Sequence, residues 1–219
     1  MTDLIQLRKL VEEFKADGKK PLERYPGVTR VLSGTKDMTG LDAWRDRVGH
    51  EEADRIVAES KAIGSSLDKI FNDSLESVIN QVPFEESLYE NDVGYRLYGQ
   101  LKPYLKRTQP VAVQMKVWSD HMKMMGYLDC LGLYDNVLTL IDCKNSKKEK
   151  REEYLEDYYL QCTAYSMMLY DMLGIKIKQM ALFIARRDSP FPQIIVRDIK
   201  PFVPMVLGRV KNYYANIAQ

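Results

Sequence analysis

Residues 124–144 read MMGYLDCLGLYDNVLTLIDCK, and this stretch decides the fold. Two apolar runs, residues 124–134 and 137–143, stand on either side of the pair Asp135 and Asn136. Apolar runs of strand length that flank an Asp-Asn turn are typical of a β-hairpin. The sequence therefore predicts two neighbouring antiparallel strands in the second half of the chain.

Charged residues interrupt this otherwise apolar hairpin. Because alternate residues of a strand share a face, Asp142 and Lys144 should point the same way, with Cys143 buried on the opposite side. Asp129 on the neighbouring strand can lie across from them. Two carboxylates on an apolar sheet need a counter-charge, which Lys144 and a divalent cation would supply together. The backbone carbonyl of Cys143 is a further candidate ligand, and such oxygens suit Mg²⁺ or Mn²⁺, as one or two ions.

A structural Asp–Lys pair at a strand end is the alternative interpretation, because Asp-x-Lys is a short pattern that often occurs by chance. The rest of the sequence must decide between the two.

The composition is that of an ordinary globular protein: 219 residues, 45% hydrophobic and 29% charged. The net charge is +1, so nucleic-acid binding would have to depend on a local basic patch. No stretch reaches the roughly 18 apolar residues of a membrane span, and the first residues lack the pattern of a secretory signal. Three cysteines without Cys-x-x-Cys spacing favour a reducing, cytoplasmic location and buried free thiols at Cys130, Cys143 and Cys162.

Apolar spacing predicts helices in the first half of the chain and a sheet in the second. Residues 1–110 are mainly helical: a first helix capped by Asp3, a short apolar element at 28–32, and helices at 41–61 and 65–81. The segment 111–200 should form the sheet and helix core, and 201–219 a terminal helix. Its predicted elements are strands at 111–118, 124–134, 137–143, 177–185 and 193–196, and a helix at 154–173 closed by Gly174. This order predicts a single α/β or α+β domain.

The polar residues also match a family signature. The chain resembles the RecB-like exonucleases of the PD-(D/E)XK nuclease superfamily, whose pattern is Gly-x-x-Asp, then Asp/Glu-x-Lys, then Gln-x-x-x-Tyr. The matching residues are Gly126 and Asp129, Asp142 and Lys144, and Gln161 and Tyr165. Residues 26–32 and 141–146 add to the likeness, which is nearest to mitochondrial genome maintenance exonucleases and phage nucleases. The resemblance implies a restriction-endonuclease-like core, a mixed β-sheet flanked by helices with an N-terminal helical region.

The resemblance also implies a role for each residue. Asp129 and Asp142 would be the metal ligands, and Lys144 would position the attacking water or stabilise the charge on the phosphate. Gln161 and Tyr165 lie one helical turn apart and so share a face, which would support the site and touch substrate phosphate. For Tyr165 the alternative is core packing with a hydrogen-bonded hydroxyl.

Two positions differ from the family pattern. Relatives often carry a histidine on an early helix, a few residues after a glycine, as an extra metal ligand. Here Asp68 follows Gly64, and its oxygens would favour a harder metal. Alternatively, Asp68 belongs to a solvated helix face with Asn72 and Glu76. Gln114 stands where relatives often have glutamate, and would orient a ligand through a bound water.

A basic run directly after the second strand of the hairpin is the candidate surface for the phosphate backbone. A solvated loop is the alternative, since charged runs are usually that. The candidate DNA-binding residues are Ser146, Lys147, Lys148, Lys150 and Arg151, with Thr29, Arg30, Arg186 and Arg187 as weaker candidates. Nearby tyrosines, Tyr154, Tyr158 and Tyr159, could stack on bases, but core packing is the better expectation.

The function implied by the resemblance is a magnesium-dependent DNA exonuclease acting on free, single-stranded or frayed ends. Replication or recombination proteins would be its partners, and a phage-encoded relative would act in the host cell. The alternatives are a repair or structure-specific endonuclease of the same fold and a non-catalytic DNA-binding module. The helices between residues 26 and 81 lack a strand partner in sequence, so we expect them to cover the catalytic face as an arch that admits only a threaded strand.

Overall fold

The computed structural model describes residues 3–218, and its centre is a five-stranded sheet with strand order β1-β2-β3-β4-β5. The strands are β1 Thr108–Ser119, β2 Met124–Tyr134, β3 Val137–Ser146, β4 Gln179–Arg186 and β5 Gln193–Asp198. The helices are α1 Leu4–Ala16, α2 Val28–Ser33, α3 Thr39–Val48, α4 His50–Asn80, α5 Tyr95–Leu105, α6 Glu156–Leu173 and α7 Val203–Ile217. Short 3₁₀ turns occupy Glu86–Tyr89, Glu152–Tyr154 and Lys200–Phe202.

The sheet is mixed. Strands β3 and β4 pair in parallel through the crossover helix α6, and the other neighbouring pairs are antiparallel. The predicted fold class, a mixed sheet flanked by helices, is therefore confirmed, and the architecture is consistent with a restriction-endonuclease-like core. Residues 1, 2 and 219 of the predicted domain range lie outside the described residues.

The predicted hairpin is confirmed, with β2 beginning and ending at the predicted residues. Asp135 and Asn136 have φ angles of 50° and 66°. Positive φ at both central residues is the condition for a type I′ turn, whose twist matches that of the flanking strands. The turn therefore sets the register in which Tyr134 faces Val137 and Cys130 faces Ile141.

Helices cover both faces of the sheet. On one face, Leu140 and Leu182 pack with residues of α1, α2, α6 and α7. On the other face, Ile141 and Phe183 pack with residues of α4 and α5. Consecutive strand residues point to opposite faces, and in β3 and β4 the residues on both faces are apolar. This is expected for strands that helices cover on both sides.

Local signals at several helix ends are confirmed. The Asp3 carboxylate accepts hydrogen bonds from the amides of Ile5 and Gln6 at the start of α1, at 2.9 and 3.3 Å. Gly174 ends α6 with φ of 68°, a left-handed conformation that glycine adopts at little cost. The three cysteines are buried free thiols.

The predicted boundaries of the early helices are wrong. The polar helix expected at 41–61 is divided at Gly49, whose φ is 86°, and α4 then runs without interruption from His50 to Asn80. Gly64 lies inside this helix and does not break it. Its lack of a side chain leaves room for Asn145, since a methyl group there would lie 2.8 Å from Nδ2 of that residue. The hydroxyl of Ser66, also inside α4, accepts the amide of Gly94 at 3.0 Å.

The expectation that residues 26–81 lack a strand partner is also wrong. Gly27 forms a parallel bridge with Met125, and α4 packs directly on β1 and β3. Helix α2 and helix α4 therefore belong to the two layers that cover the sheet, one on each face. The connection between α2 and α4, residues 34–49, contains α3, and no residue of α3 is buried. None of the described helices is long and apolar enough to cross a membrane.

Candidate active site

The site lies where β2 and β3 separate. Their ladder of paired residues ends at Cys130 and Ile141, so the next pair, Asp129 and Asp142, stands at the opening. Here a side chain replaces the missing ladder bond: the amide of Cys143 donates to Oδ2 of Asp129 at 2.9 Å. Asp129 is thereby fixed against β3 and faces the residues that follow Ile141.

A kink in β1 supports Asp129 from the other side. Gln114 has φ of 45°, a left-handed conformation that is uncommon for a residue with a side chain. Val113 packs in one core layer while Met115 packs in the other, so the strand's alternation is interrupted at Gln114. The side-chain amide of Gln114 donates to Oδ1 of Asp129 at 3.3 Å. Gln114 therefore contacts Asp129 directly, whereas the sequence predicted a contact through a bound water.

The ammonium of Lys144 lies among the oxygen atoms of the proposed metal ligands. It is 2.7 Å from both carboxylate oxygens of Asp142, 3.2 Å from the carbonyl oxygen of Cys143 and 3.9 Å from Oδ2 of Asp129. It donates hydrogen bonds to Oδ1 of Asp142 and to the Cys143 carbonyl. The buried Oδ2 of Asp142 has no hydrogen-bond partner among the described residues.

Burial and crowding of charge set the protonation of this cluster. Burial raises the pKa of Asp142 to about 7, an increase that Lys144 opposes and Asp129 enlarges. Burial also raises the pKa of Asp68 to about 6, again with a contribution from Asp129. Burial alone would lower the pKa of Lys144, but the Asp142 and Asp129 charges more than offset this and raise it. The lysine stays charged, and the carboxyl groups lack sufficient positive charge around them.

The residues present fit a magnesium ion. Within residues 3–218 no group of three or more His, Cys, Asp or Glu side chains is arranged to hold a metal. The cluster instead offers the carboxylates of Asp129 and Asp142 and the Cys143 carbonyl. Magnesium is commonly held by one or two carboxylates, with water and substrate phosphate as its other ligands. Oδ2 of Asp142, which is buried and receives no hydrogen bond from the described part of the chain, is an oxygen of the type that such an ion binds.

Asp68 faces the site from α4. It is half-buried, and burial and the charge of Asp129 raise its pKa while Lys144 opposes the increase. The predicted alternative, a solvated face shared with Asn72 and Glu76, describes only Glu76, which is exposed. Asp68 thus adds negative charge next to Asp129 from the helix layer.

Gln161 and Tyr165 lie on α6, on the opposite face of the sheet from α4. Tyr165 is buried, and its hydroxyl accepts a hydrogen bond from Nε2 of Gln161 at 3.0 Å. Burial raises the pKa of Tyr165 far above its usual value, so the hydroxyl stays protonated. Its ring packs on Gly126, where a methyl group would lie 2.6 Å from Cε1. The glycine and the tyrosine of the signature are therefore partners in packing.

The basic run emerges at the same end of the sheet. Lys147 and Lys148 are exposed, and the loop is held by Gln193, which accepts the amide of Lys150 at 3.0 Å and donates to its carbonyl at 2.8 Å. Ser146 is turned into the loop, where its hydroxyl donates to the Lys148 carbonyl at 2.6 Å.

The other basic candidates differ in their surroundings. Arg186 is paired with Glu149 and Asp188, and Arg187 with Glu59, so both contribute to local structure. Arg151 is exposed and lies 3.7 Å from Glu153. Thr29 and Arg30 are exposed on α2.

Sequence reasoning did not find three contacts that shape the site. Asn145 donates to the carbonyl of Ser60 at 3.3 Å and so fixes α4 at the end of β3. The Tyr158 ring lies between two lysines, 5.5 Å from Nζ of Lys144 and 5.4 Å from Nζ of Lys150. Gln193 clamps the basic loop. Of these, only the Asn145 contact had a sequence signal, namely a glycine inside a helical pattern at Gly64.

Known proteins similar to this chain are nucleases by name. It is 31% identical over 163 residues to Mitochondrial genome maintenance exonuclease 1 of Mus musculus, covering 67% of this chain and 45% of that protein. The Homo sapiens protein of that name is 30% identical over 141 residues, covering 60% and 40%. An ATP-dependent helicase/nuclease subunit of Clostridium kluyveri is 26% identical over 204 residues, covering 84% of this chain and 15% of that protein.

No family model matches the chain. The chain spans less than half the length of each of these relatives.

Proposed function

We propose that the chain is a metal-dependent DNA exonuclease of the PD-(D/E)XK type, which hydrolyses phosphodiester bonds from free, single-stranded ends. One observation carries the proposal: the carboxylates of Asp129 and Asp142 share the single ammonium of Lys144 at the opening between two strands, and the buried Oδ2 of Asp142 receives no hydrogen bond from any described residue. A structural Asp–Lys pair would be neutral, whereas this cluster holds two carboxylates against one lysine. The names of the similar proteins support the same reaction class.

Asp129, Asp142 and the Cys143 carbonyl would hold the magnesium or manganese ion. When bound, the cation would polarise the phosphodiester and make a coordinated water a stronger nucleophile. Gln114 and the Cys143 amide hold the Asp129 carboxylate in place for this task.

Lys144 has the second task. With its carboxylate partners engaged elsewhere, its ammonium would turn to the attacking water or to the phosphate oxygen that gains charge. A preformed cation in a water-poor site stabilises developing charge far better than one in bulk water. Tyr158 limits the movement of the lysine, because its ring lies 5.5 Å from the ammonium. Gln161, which donates to the Tyr165 hydroxyl, would support the substrate phosphate from α6.

The preference for free ends is supported by the path of the chain. Helix α2 packs on one face of the sheet and α4 on the other, so residues 34–49 cross from face to face. Both flanking helices are tied to the site's end of the sheet, because α2 follows the Gly27–Met125 bridge and α4 contacts Asn145 at Ser60. The connection between them would then pass over the carboxylates, and a strand would have to reach them threaded by its end.

End-labelled linear and closed circular single strands, with magnesium, calcium or excess chelator, test the proposal. We expect linear strands to be degraded with magnesium, blunt duplex to be cut weakly and circles to remain intact. Calcium should support binding with little cleavage, since its looser geometry misplaces the water. Asp142→Asn should abolish cleavage, and Asp198→Asn, an exposed carboxylate at the other end of the sheet, should not. Full activity in chelator would refute the metal role, and ready cutting of circles would favour an endonuclease.

A further inference from the structure

Phe191 is the most exposed aromatic ring near the candidate site, with 73% of its surface accessible. It lies in the loop 187–192 between β4 and β5, flanked by Pro190 and Pro192. Single exposed apolar residues are common on protein surfaces and need no explanation by themselves. The loop that carries this one, however, is held firmly on several sides.

Buried Gln100 of α5 fastens the loop at its base. Its side chain donates to the carbonyls of Arg186 and Ser189, at 2.7 and 2.9 Å, and accepts the amide of Arg186 at 2.9 Å. The hydroxyl of Ser189 accepts the amide of Phe191 itself at 3.0 Å. Proline on each side restricts the backbone further. The ring is thus presented to solvent on a stiff support, so little conformational entropy would be lost on binding.

The loop emerges beside the catalytic cluster. Strands β3 and β4 are parallel neighbours, so their carboxyl ends share one edge of the sheet. The amide of Arg187 donates to the carbonyl of Ser146 at 2.9 Å, and Ser146 is two residues beyond Lys144. On its far side the loop joins Gln193, which clamps the basic loop through Lys150. Phe191 therefore lies next to both the site and the basic loop.

Uncompensated positive charge flanks the loop. Arg96 donates to the carbonyl of Arg187 at 3.0 Å, and Lys148 lies on the basic loop. Neither side chain forms an ion pair with any residue between 3 and 218. An exposed ring on a loop flanked by cations is the composition of single-strand binding surfaces, where the cations follow the phosphates and the ring stacks on a base.

We propose that Phe191 is a base-stacking platform for the nucleic-acid strand immediately outside the active site, with Arg96 and Lys148 contacting the adjoining phosphates. The inference rests on the proposed function, because it takes the strand held at Asp129 and Asp142 to continue over this edge. Phe191 would position the substrate and take no part in the bond cleavage.

The test uses the full chain in excess chelator, so that binding is measured without cleavage. The probe is a single-stranded oligonucleotide of about 16 nucleotides, the upper site size of known single-strand binding folds, carrying 2-aminopurine at successive positions. Phe191→Ala should weaken binding by about 5- to 150-fold, the loss expected for one stacking aromatic. It should also remove the fluorescence change at one position of the probe. Phe191→Trp should retain both.

Tyr170→Ala is the matched control. Tyr170 is an exposed aromatic, 51% accessible, near the opposite end of α6 from the site, and its loss should leave binding unchanged. The inference is overturned if wild-type protein binds and cleaves the strand while Phe191→Ala binds it equally well. If wild-type protein neither binds nor cleaves DNA, the proposed function itself fails and this inference with it.

Discussion

The contact between Gly126 and Tyr165 allows a quantitative prediction for Gly126→Ala. The added methyl would lie 2.6 Å from Cε1 of the ring, 0.8 Å short of the 3.4 Å at which ordinary contact begins. Tyr165 is buried and its hydroxyl is held by Gln161, so the ring has little room to withdraw. Overpacking of this kind costs about 1–3 kcal/mol.

Urea denaturation measures this cost, and thermal unfolding should show a midpoint lowered by about 2–4 °C for each kcal/mol in a protein of this size. The cleavage rate should fall as well, because the displaced ring moves Gln161 and the strand that carries Asp129. The control is Gly208→Ala in α7, where a methyl group meets no atom within 4 Å. That change should be neutral or stabilise the helix by about 0.5–1 kcal/mol.

A double-mutant cycle isolates the contact. In a Tyr165→Leu background the clash partner is gone, so Gly126→Ala should cost almost nothing further, although Tyr165→Leu is itself destabilising. An equal cost of Gly126→Ala in both backgrounds would show that the ring is not the obstacle and that the packing argument is mistaken.

Three further predictions concern the charged groups. Lys144→Ala should reduce cleavage by about 10²-fold or more while folding and DNA binding persist, and an equal loss of binding would make the lysine an anchor. Neutralising three lysines of the basic loop should weaken DNA binding and flatten the dependence of affinity on salt concentration, without changing the rate at saturating substrate. An unaltered salt dependence would mean that the loop is solvated and does not contact phosphates. The residues are Lys147, Lys148 and Lys150. In metal-free protein the pKa of Asp142 is about 7 in the folded state, against an ordinary value of 3.8. The folded state therefore binds more protons than the unfolded state between these values. The free energy of unfolding should accordingly fall as pH rises from about 4 to 7. Asp142→Asn should reduce this fall, and an unchanged pH profile would contradict the raised pKa.

The hairpin and the order of its polar residues were predictable because their causes are local. Alternation of side chains fixes which residues share a face, and the Asp135–Asn136 turn fixes the register. The placement of Asp142 beside Lys144 follows from the same alternation. The N-cap at Asp3 and the end of α6 at Gly174 were likewise predictable, because each depends only on residues nearby in the sequence.

What could not be predicted depends on contacts between distant residues. Local rules treat Gly64 as a helix breaker, yet it sits within α4 because Asn145 approaches it. The left-handed conformation of Gln114 has no sequence signal, since it arises where β1 accommodates Asp129. Helix α5 contains Gly99 and Pro103, which the same rules disfavour, and its burial against α4 and β4 overrides them.

The position of the Lys144 ammonium bears on how tightly the site would hold the proposed metal ion. A lysine two residues along the chain from Asp142 competes with any free cation at a high effective concentration, because it never leaves the neighbourhood. Without metal, the Lys144 ammonium keeps the carboxylate cluster partly neutralised. A chelator should therefore abolish the activity without unfolding the protein. Magnesium would then bind weakly until a substrate phosphate adds its own oxygens, which ties occupancy of the ion to the arrival of DNA.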